Sequence, residues 1–222
     1  MSTDQPQRPD ASNLEPQWLR WGKRLQSIAQ NGLAHACDPY DLERYEEVRQ
    51  VAAELMAAGG RRDVDEVLGL FIRQTGHATP KVDVRGAVFQ RDSVLLVQDR
   101  DDGLWALPGG WAETNESPSE AVEREVLEET GWVVRAGRLV AVYDYSKHPH
   151  RPPLPFHVYM LLFVCDVVEP GRLGARDGPE VSRVELFCAD NLPRLSPRRV
   201  TPGQLDRLFR HLRTPGAPVD CD

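Results

Sequence analysis

The spacing of apolar residues first changes near residue 80, and that change separates two kinds of architecture. Before it, apolar positions recur every three or four residues; directly after it, they recur every two. Trp18, Trp21, Leu25 and Ile28 line one face of a helix expected over about 15–31, with Gly32 as its stop. Asp38 as N-cap and Pro39 behind it open a second helix, whose face is Leu42, Tyr45, Val48, Val51 and Leu55 and whose end is Gly59-Gly60. Asp63, with Glu66 three residues on, caps a third helix that carries Val64, Val67, Leu68 and Phe71 toward Gly76. From Lys81 the pattern alternates: Val82, Val84, Gly86 and Val88 against Asp83, Arg85, Ala87 and Phe89.

That first strand is followed by "QRD" and then "SVLLVQD", which reads as its hairpin partner. Further strands are expected in "RLVAVYDYS", "FHVYMLLFVCDVV" and "VSRVELFCA", and "TPGQLDRLFRHL" closes as a helix capped by Thr201. The order β-β-α-β-β-β-α is neither a Rossmann repeat nor a sandwich of sheets, so the fold class is α/β: a mixed sheet with helices on its faces, preceded by a small all-α domain. The expected organisation is a disordered polar tail at 1–14, a helical domain at 15–76, the α/β domain at 80–213 and a flexible C-terminal tail at 214–222.

Composition excludes several classes. With 27 basic against 34 acidic residues, the net charge of −7 opposes broad adhesion to nucleic acid. Residues 1–60 hold six basic and nine acidic residues, net −3, so the helical part is not a DNA-binding module. Cys37, Cys165, Cys188 and Cys221 lack paired spacing and fit reduced thiols. The start has no secretory pattern, and the most apolar run, "VYMLLFVCDVV", is too short to span a bilayer. A cytoplasmic protein without membrane contact is expected.

The unusual stretch is "GGWAETNESPSEAVEREVLEETGW", Gly109–Trp132. Ser117, Pro118 and Glu120 form a cap, a first-turn proline and a capping box, so a helix runs from Pro118 to about Glu129, and Gly131 ends it. Glu125, Glu128 and Glu129 stand at i, i+3 and i+4 and share a face near the helix C-terminus, where mutual repulsion and the macrodipole both disfavour them. Local stability does not account for such a cluster, and glutamine at any of the three is expected to keep or raise metal-free stability. Grouped carboxylates are what Mg²⁺ or Mn²⁺ requires, often with phosphate oxygens as further ligands.

Gly110, five residues, Glu116, seven residues, then Arg124-Glu125-Val126-Leu127-Glu128-Glu129-Thr130-Gly131-Trp132 resembles the box of the Nudix hydrolases. Trp132 departs from it, since a smaller aliphatic is usual there, and is expected to alter packing behind the helix. "WLRWGKRLQSIAQNGL" and "DPYDLERYEEVRQVAAELM" resemble the helical N-terminal domain of a bacterial subgroup that includes CDP-choline pyrophosphatases and ADP-ribose pyrophosphatase-like enzymes. The resemblance implies an α/β/α sandwich, a homodimer through the N-terminal helices, and metal-dependent hydrolysis of a nucleoside diphosphate linked to another moiety. Glu125, Glu128 and Glu129 are then the metal ligands, one of them a candidate general base, with either two metals or one metal and the Gly110 carbonyl at the phosphate. Glu116 and Arg124 become a supporting pair that pins loop to helix.

Beyond the box, Glu180 is a candidate for a further carboxylate on the metal, although a lone loop glutamate more often faces solvent. Arg85, on the first strand, is a candidate phosphate clamp. Lys147, His148 and Arg151, in the proline-stiffened "YSKHPHRPPLPFH", suit a second phosphate, a choline-like group or a sugar. Two alternatives stay open. An RNA 5′-end pyrophosphohydrolase needs a strand groove, yet no RNA-binding motif is present; a non-catalytic nucleotide sensor conflicts with the intact glutamates.

Overall fold

The computed structural model describes residues 15–222; the tail expected at 1–14 lies outside the described residues. The chain divides into two compact units, one running to Pro80 and including Leu154–His157, the other comprising Lys81–Pro153 and Val158–Asp222. Among the described residues no helix is long and apolar enough to cross a membrane.

The first unit contains α1 (Gln17–His35), α2 (Pro39–Gly60) and α3 (Val64–Ile72). The Asp38 carboxylate accepts from the Tyr40 and Asp41 amides at 2.8 and 3.3 Å, and Asp63 accepts from Glu66 N at 3.1 Å, so both caps use orphan donors of a first turn. Gly32 does not stop α1. A Cβ there would lie 2.3 Å from the Tyr45 ring, so this glycine permits close approach of α2 instead of ending a helix. The core is Leu19, Ala52, Ala53, Met56, Val67 and Phe71. Trp21, Ile28 and Val51, placed by spacing on the inner face, are instead 52%, 47% and 48% exposed. Apolar residues also occupy the neighbouring stripe of Leu19 and Ala29, so α1 has a band too wide for spacing to decide which edge turns inward.

The second unit runs β1 (Lys81–Gln90), β2 (Ser93–Asp99), β3 (Trp105–Ala106), β4 (Gly109–Trp111), α4 (Pro118–Thr130), β5 (Val133–Asp144), β6 (Val158–Glu169), β7 (Gly174–Ala175), β8 (Val181–Cys188), α5 (Pro202–Arg213) and β9 (Asp220–Cys221). The sheet order is β7-β8-β2-β1-β6-β5-β9, with β3 on β2 and β4 on β1. The β1–β2 hairpin is antiparallel and β1–β6 parallel, which makes the sheet mixed. Successive residues of β1 face opposite layers. A Cβ at Gly86 would lie 2.6 Å from Val126 of α4, whereas the Phe89 ring meets Phe209 of α5 with centroids 5.4 Å apart. The result is the expected α/β/α sandwich. Because both faces of β1 are covered, Asp83 and Arg85 are buried despite the alternating pattern.

Trp132 sits in the core at 1% exposure, and the room for its ring comes from Gly171, where a Cβ would stand 2.4 Å from Trp132 Cδ1. The C-terminal segment is not a free tail. Strand β9 pairs parallel with β5, and Tyr143 Oη donates to Asp220 at 2.6 Å. Backbone pairing and this buried phenol hold what polarity alone read as flexible.

After β5 the chain makes a 3₁₀ turn, Tyr145–Lys147, and reaches His150, which stacks on Tyr145 at 4.1 Å between centroids. His150 Nδ1 lies 3.2 Å from the Pro197 carbonyl, and its Nε2 lies 3.2 Å from Gln204 Nε2. These partners require the neutral ring with Nδ1–H donating and Nε2 accepting. Burial pushes its pKa down to about 4 from 6.5. The unfolded chain therefore binds the proton more readily, so the His150 contribution to stability is full above pH 6.5 and is withdrawn as pH falls toward 4. Urea unfolding should show a steeper loss of stability across that window in the native protein than in His150→Gln, and parallel pH profiles would sink the assignment.

Candidate active site

The loop before α4 is shaped by Gly109, whose φ of 141° and contact with β1 leave no place for a side chain: a Cβ would lie 2.0 Å from the Val84 carbonyl oxygen. At Gly110 a Cβ would lie 2.8 and 2.9 Å from the two carboxylate oxygens of Glu125. Glycine at both positions thus presses the loop backbone against β1 on one side and the Glu125 carboxylate on the other.

Helix α4 inserts Ala121, Val122 and Val126 into the sheet layer, and this register grades the glutamates. The side chains of Glu129, Glu125 and Glu128 are 4%, 12% and 60% exposed, so the three are far from equivalent. Two arginines answer their charge. Arg124 grips Glu116 through Nε and Nη2 at 3.0 and 2.8 Å, and its Nη1 donates to Glu125 at 2.9 Å and Glu128 at 3.1 Å. Its Nη2 also donates to the Trp111 carbonyl at 3.2 Å, which joins loop to helix. Hydrogen bonds from Arg124 and the Glu113 amide hold the Glu116 carboxyl down to about 2. Burial raises the Glu125 carboxyl above its ordinary range, and Arg124 opposes the rise.

Glu129 is held separately. Its Oε2 accepts from Gly109 N at 2.8 Å, and its Oε1 accepts from Arg199 Nη2 at 2.7 Å. The same Nη2 donates to the Gly109 carbonyl at 2.7 Å, and Nη1 donates to Asp99 at 3.1 Å. Burial works against the Arg199 charge, but Glu129 and Asp99 outweigh it and raise its pKa. Arg85 completes the frame, donating twice to Asp83 at 2.9 and 2.7 Å and to the Gly109 carbonyl at 2.5 Å.

The structure brings Gly110, Glu116, Arg124, Glu125, Glu128 and Glu129 together. Arg85 is adjacent but buried, with its guanidinium engaged by Asp83 and the loop carbonyl, so in this arrangement it braces the loop. Glu180 is exposed; its backbone carbonyl accepts from Arg100 N at 2.9 Å, and no contact joins its side chain to the α4 glutamates. Lys147 and Arg151 are exposed, and His148 pairs with Asp222 at 3.2 Å. Their loop is fastened beside Arg199, since Tyr145 Oη donates to the Arg198 carbonyl at 2.9 Å. Sequence reasoning missed Arg199, Asp99, Asp83 and Gly109. Gly109 carried a signal as the first of two glycines after a proline; Arg199, in "SPRRV", carried none.

Among the described residues no three His, Cys, Asp or Glu side chains converge closely enough to hold a metal by themselves. The donor set nevertheless fits a hard divalent cation. Among the described residues, Asp83, Asp99, Glu116, Glu125, Glu128 and Glu129 are ion-paired with three guanidiniums, those of Arg85, Arg124 and Arg199, so six carboxylates share three positive partners and offer oxygen donors in excess.

Residues 79–209 match the NUDIX domain family, well over half of the chain. The protein belongs to the Nudix hydrolases. This Nudix chain is a pyrophosphohydrolase, and its residues 16–71 match a family described as a UDP-X-like, N-terminal oligomerisation domain. A Bacillus subtilis (strain 168) protein named "Putative ADP-ribose pyrophosphatase YjhB" is 43% identical over 202 residues, covering 91% of this chain and 95% of the relative. A crystal structure of a UDP-X diphosphatase is similar over 96% of this chain and 99% of its own, at 27% identity and a TM-score of 0.59. That of an ADP-ribose pyrophosphatase from Streptococcus suis 89-1591 covers 65% of this chain and all of its own, at 35% identity and a TM-score of 0.58.

The graded burial sets a different expectation at Glu129 from the retained or raised metal-free stability that helical spacing implies for glutamine at all three positions. Glu128→Gln should leave metal-free stability within about 0.5 kcal/mol, since its carboxylate is mostly solvated. Glu129→Gln weakens a buried ion pair and should lower stability by about 2 kcal/mol or more. Chemical unfolding of the two variants without metal checks this, and equal stabilities would contradict it.

Proposed function

We propose that this Nudix enzyme hydrolyses the P–O–P bond of a nucleoside diphosphate linked to a sugar or similar moiety, with ADP-ribose the first candidate, and that it does so with Mg²⁺ or Mn²⁺. The observation that carries the reading is the excess of carboxylate over guanidinium charge around the Gly109–Gly110 loop, which an electropositive metal and a polyanionic substrate would share. Likeness to two ADP-ribose pyrophosphatases supports adenosine diphosphate sugars; likeness to a UDP-X diphosphatase over both units supports uridine analogues as a second reading. CDP-choline remains in the panel on the resemblance of the N-terminal helices.

Glu125, Glu128, Glu129 and the Gly110 carbonyl would hold the metal. A divalent ion bound there lowers the pKa of water and stabilises charge on the bridging phosphate oxygens. Glu129 has both oxygens engaged, and Glu128 lies in solvent. Glu125 is therefore the carboxylate best placed to accept the proton of the attacking water, mostly buried against Gly110 with one oxygen on Arg124. Arg124 keeps that carboxylate oriented, and the rigid glycine turn keeps the loop carbonyl in place.

The N-terminal helices serve a homodimer in this reading. Trp21, Ile28 and Val51 are large apolar side chains that the helical unit leaves exposed, and the family matched by this segment is described as an oligomerisation domain. Two outcomes are expected. Incubation with each nucleotide derivative and Mg²⁺ or Mn²⁺ should release a nucleoside monophosphate, with Glu125→Gln lowering kcat about 10²-fold or more and KM changing little; no product from any compound would defeat the reading. Light scattering should find a dimer for the full chain and a monomer for Trp21→Asp/Val51→Asp, whereas a monomeric full chain would end the dimer proposal.

A further inference from the structure

Arg199 stands outside the box, 70 residues beyond Glu129, yet it is a direct partner of the most deeply buried glutamate in it. Its environment is closed: the side chain is 15% exposed, against 4% for Glu129 and 14% for Asp99. A structural brace for Gly109 alone would need only the carbonyl contact at 2.7 Å, which Arg85 already supplies from the other side. What Arg199 adds is a positive charge on a carboxylate oxygen that the metal reading assigns to the ion.

We infer that Arg199 is a built-in stand-in for the metal: it neutralises Glu129 when no ion is present, competes with the ion for Glu129 Oε1, and so sets the metal concentration at which the site loads. The inference rests on the metal-dependent reading above. Its physical basis is simple. A guanidinium beside a ligand carboxylate stabilises the metal-free state, because the buried carboxylate would otherwise be unpaired, and repels an incoming dication over a short distance in a poorly screened setting. Asp99 tunes the competition from the far side, because it draws on the same guanidinium at 3.1 Å and offers Arg199 a partner to keep when Glu129 turns to the ion. Arg199 is thus a positioning residue, not one that touches the substrate.

Two substitutions then move metal affinity in opposite directions. Arg199→Gln removes the competitor, so Mn²⁺ measured by electron paramagnetic resonance should bind about tenfold tighter or more, while the metal-free Tm falls and saturating Mn²⁺ restores it. Asp99→Asn leaves the guanidinium with Glu129 as its one charged partner, so Mn²⁺ should bind about threefold weaker or more. An unchanged or weaker affinity in folded Arg199→Gln overturns the inference. If that variant does not fold, Asp99→Asn decides, and equal or tighter binding there overturns it. Native protein that binds no Mn²⁺ would remove the metal reading itself, whereas native binding with unresponsive variants would remove only the role of Arg199.

Discussion

The second unit depends on one carboxylate. Glu129 of α4 takes the Gly109 amide with one oxygen and Arg199 with the other, so a single buried group ties a helix, the loop before it and the segment before α5. Buried charge is tolerated only where it is paired and hydrogen-bonded, and here the partners come from two separate parts of the chain, the Gly109 loop and Arg199. The loop could not reach that carboxylate with a side chain at Gly109, because the β1 backbone already occupies the space. Helix register, glycine turn and arginine are consequently one solution to one problem: placing negative charge at the rim of an apolar layer without releasing it to water.

The helical unit follows another logic. Where α2 faces α1 its interior carries the small side chains Ala52 and Ala53, while Leu19, Met56, Val67 and Phe71 fill the rest and the large side chains Trp21, Ile28 and Val51 stay exposed. A small unit of three helices buries little apolar area for its length. Its exposed apolar side chains are therefore the remaining source of burial, which is why the same residues that misled the reading of the inner face carry the argument for a partner surface.

Much of the fold was legible because its signals are local. The capping box at Ser117–Glu120, the left-handed Gly131 and the β1–β2 hairpin each arise from residues within a few positions of one another. The parallel pairing of β1 with β6 and the closing strand β9 depend on segments some 75 residues apart and leave no local trace. The site divides in the same way. Glu125, Glu128 and Glu129 announce themselves by helical spacing, but spacing on a helix surface does not say which carboxylate the sheet will bury, and Arg199 belongs to the site only once the chain has folded.

The choice of arginine at the two charged joints follows from donor geometry. Arg124 reaches three carboxylates and a carbonyl from one planar group, and Arg199 reaches two carboxylates and a carbonyl. A lysine ammonium has three donors on one atom and cannot reach partners spread around the rim of a guanidinium, nor present two parallel donors to Glu116. The repulsion that helical spacing predicts among the glutamates is therefore not left standing. It is distributed over two guanidiniums that divide the cluster, Arg124 serving the solvent-side pair and Arg199 the buried member. On the proposed metal reading, a cation entering the site would meet carboxylates already ordered by positive charge, so its binding would be an exchange of partners and not the collapse of a disordered acidic patch.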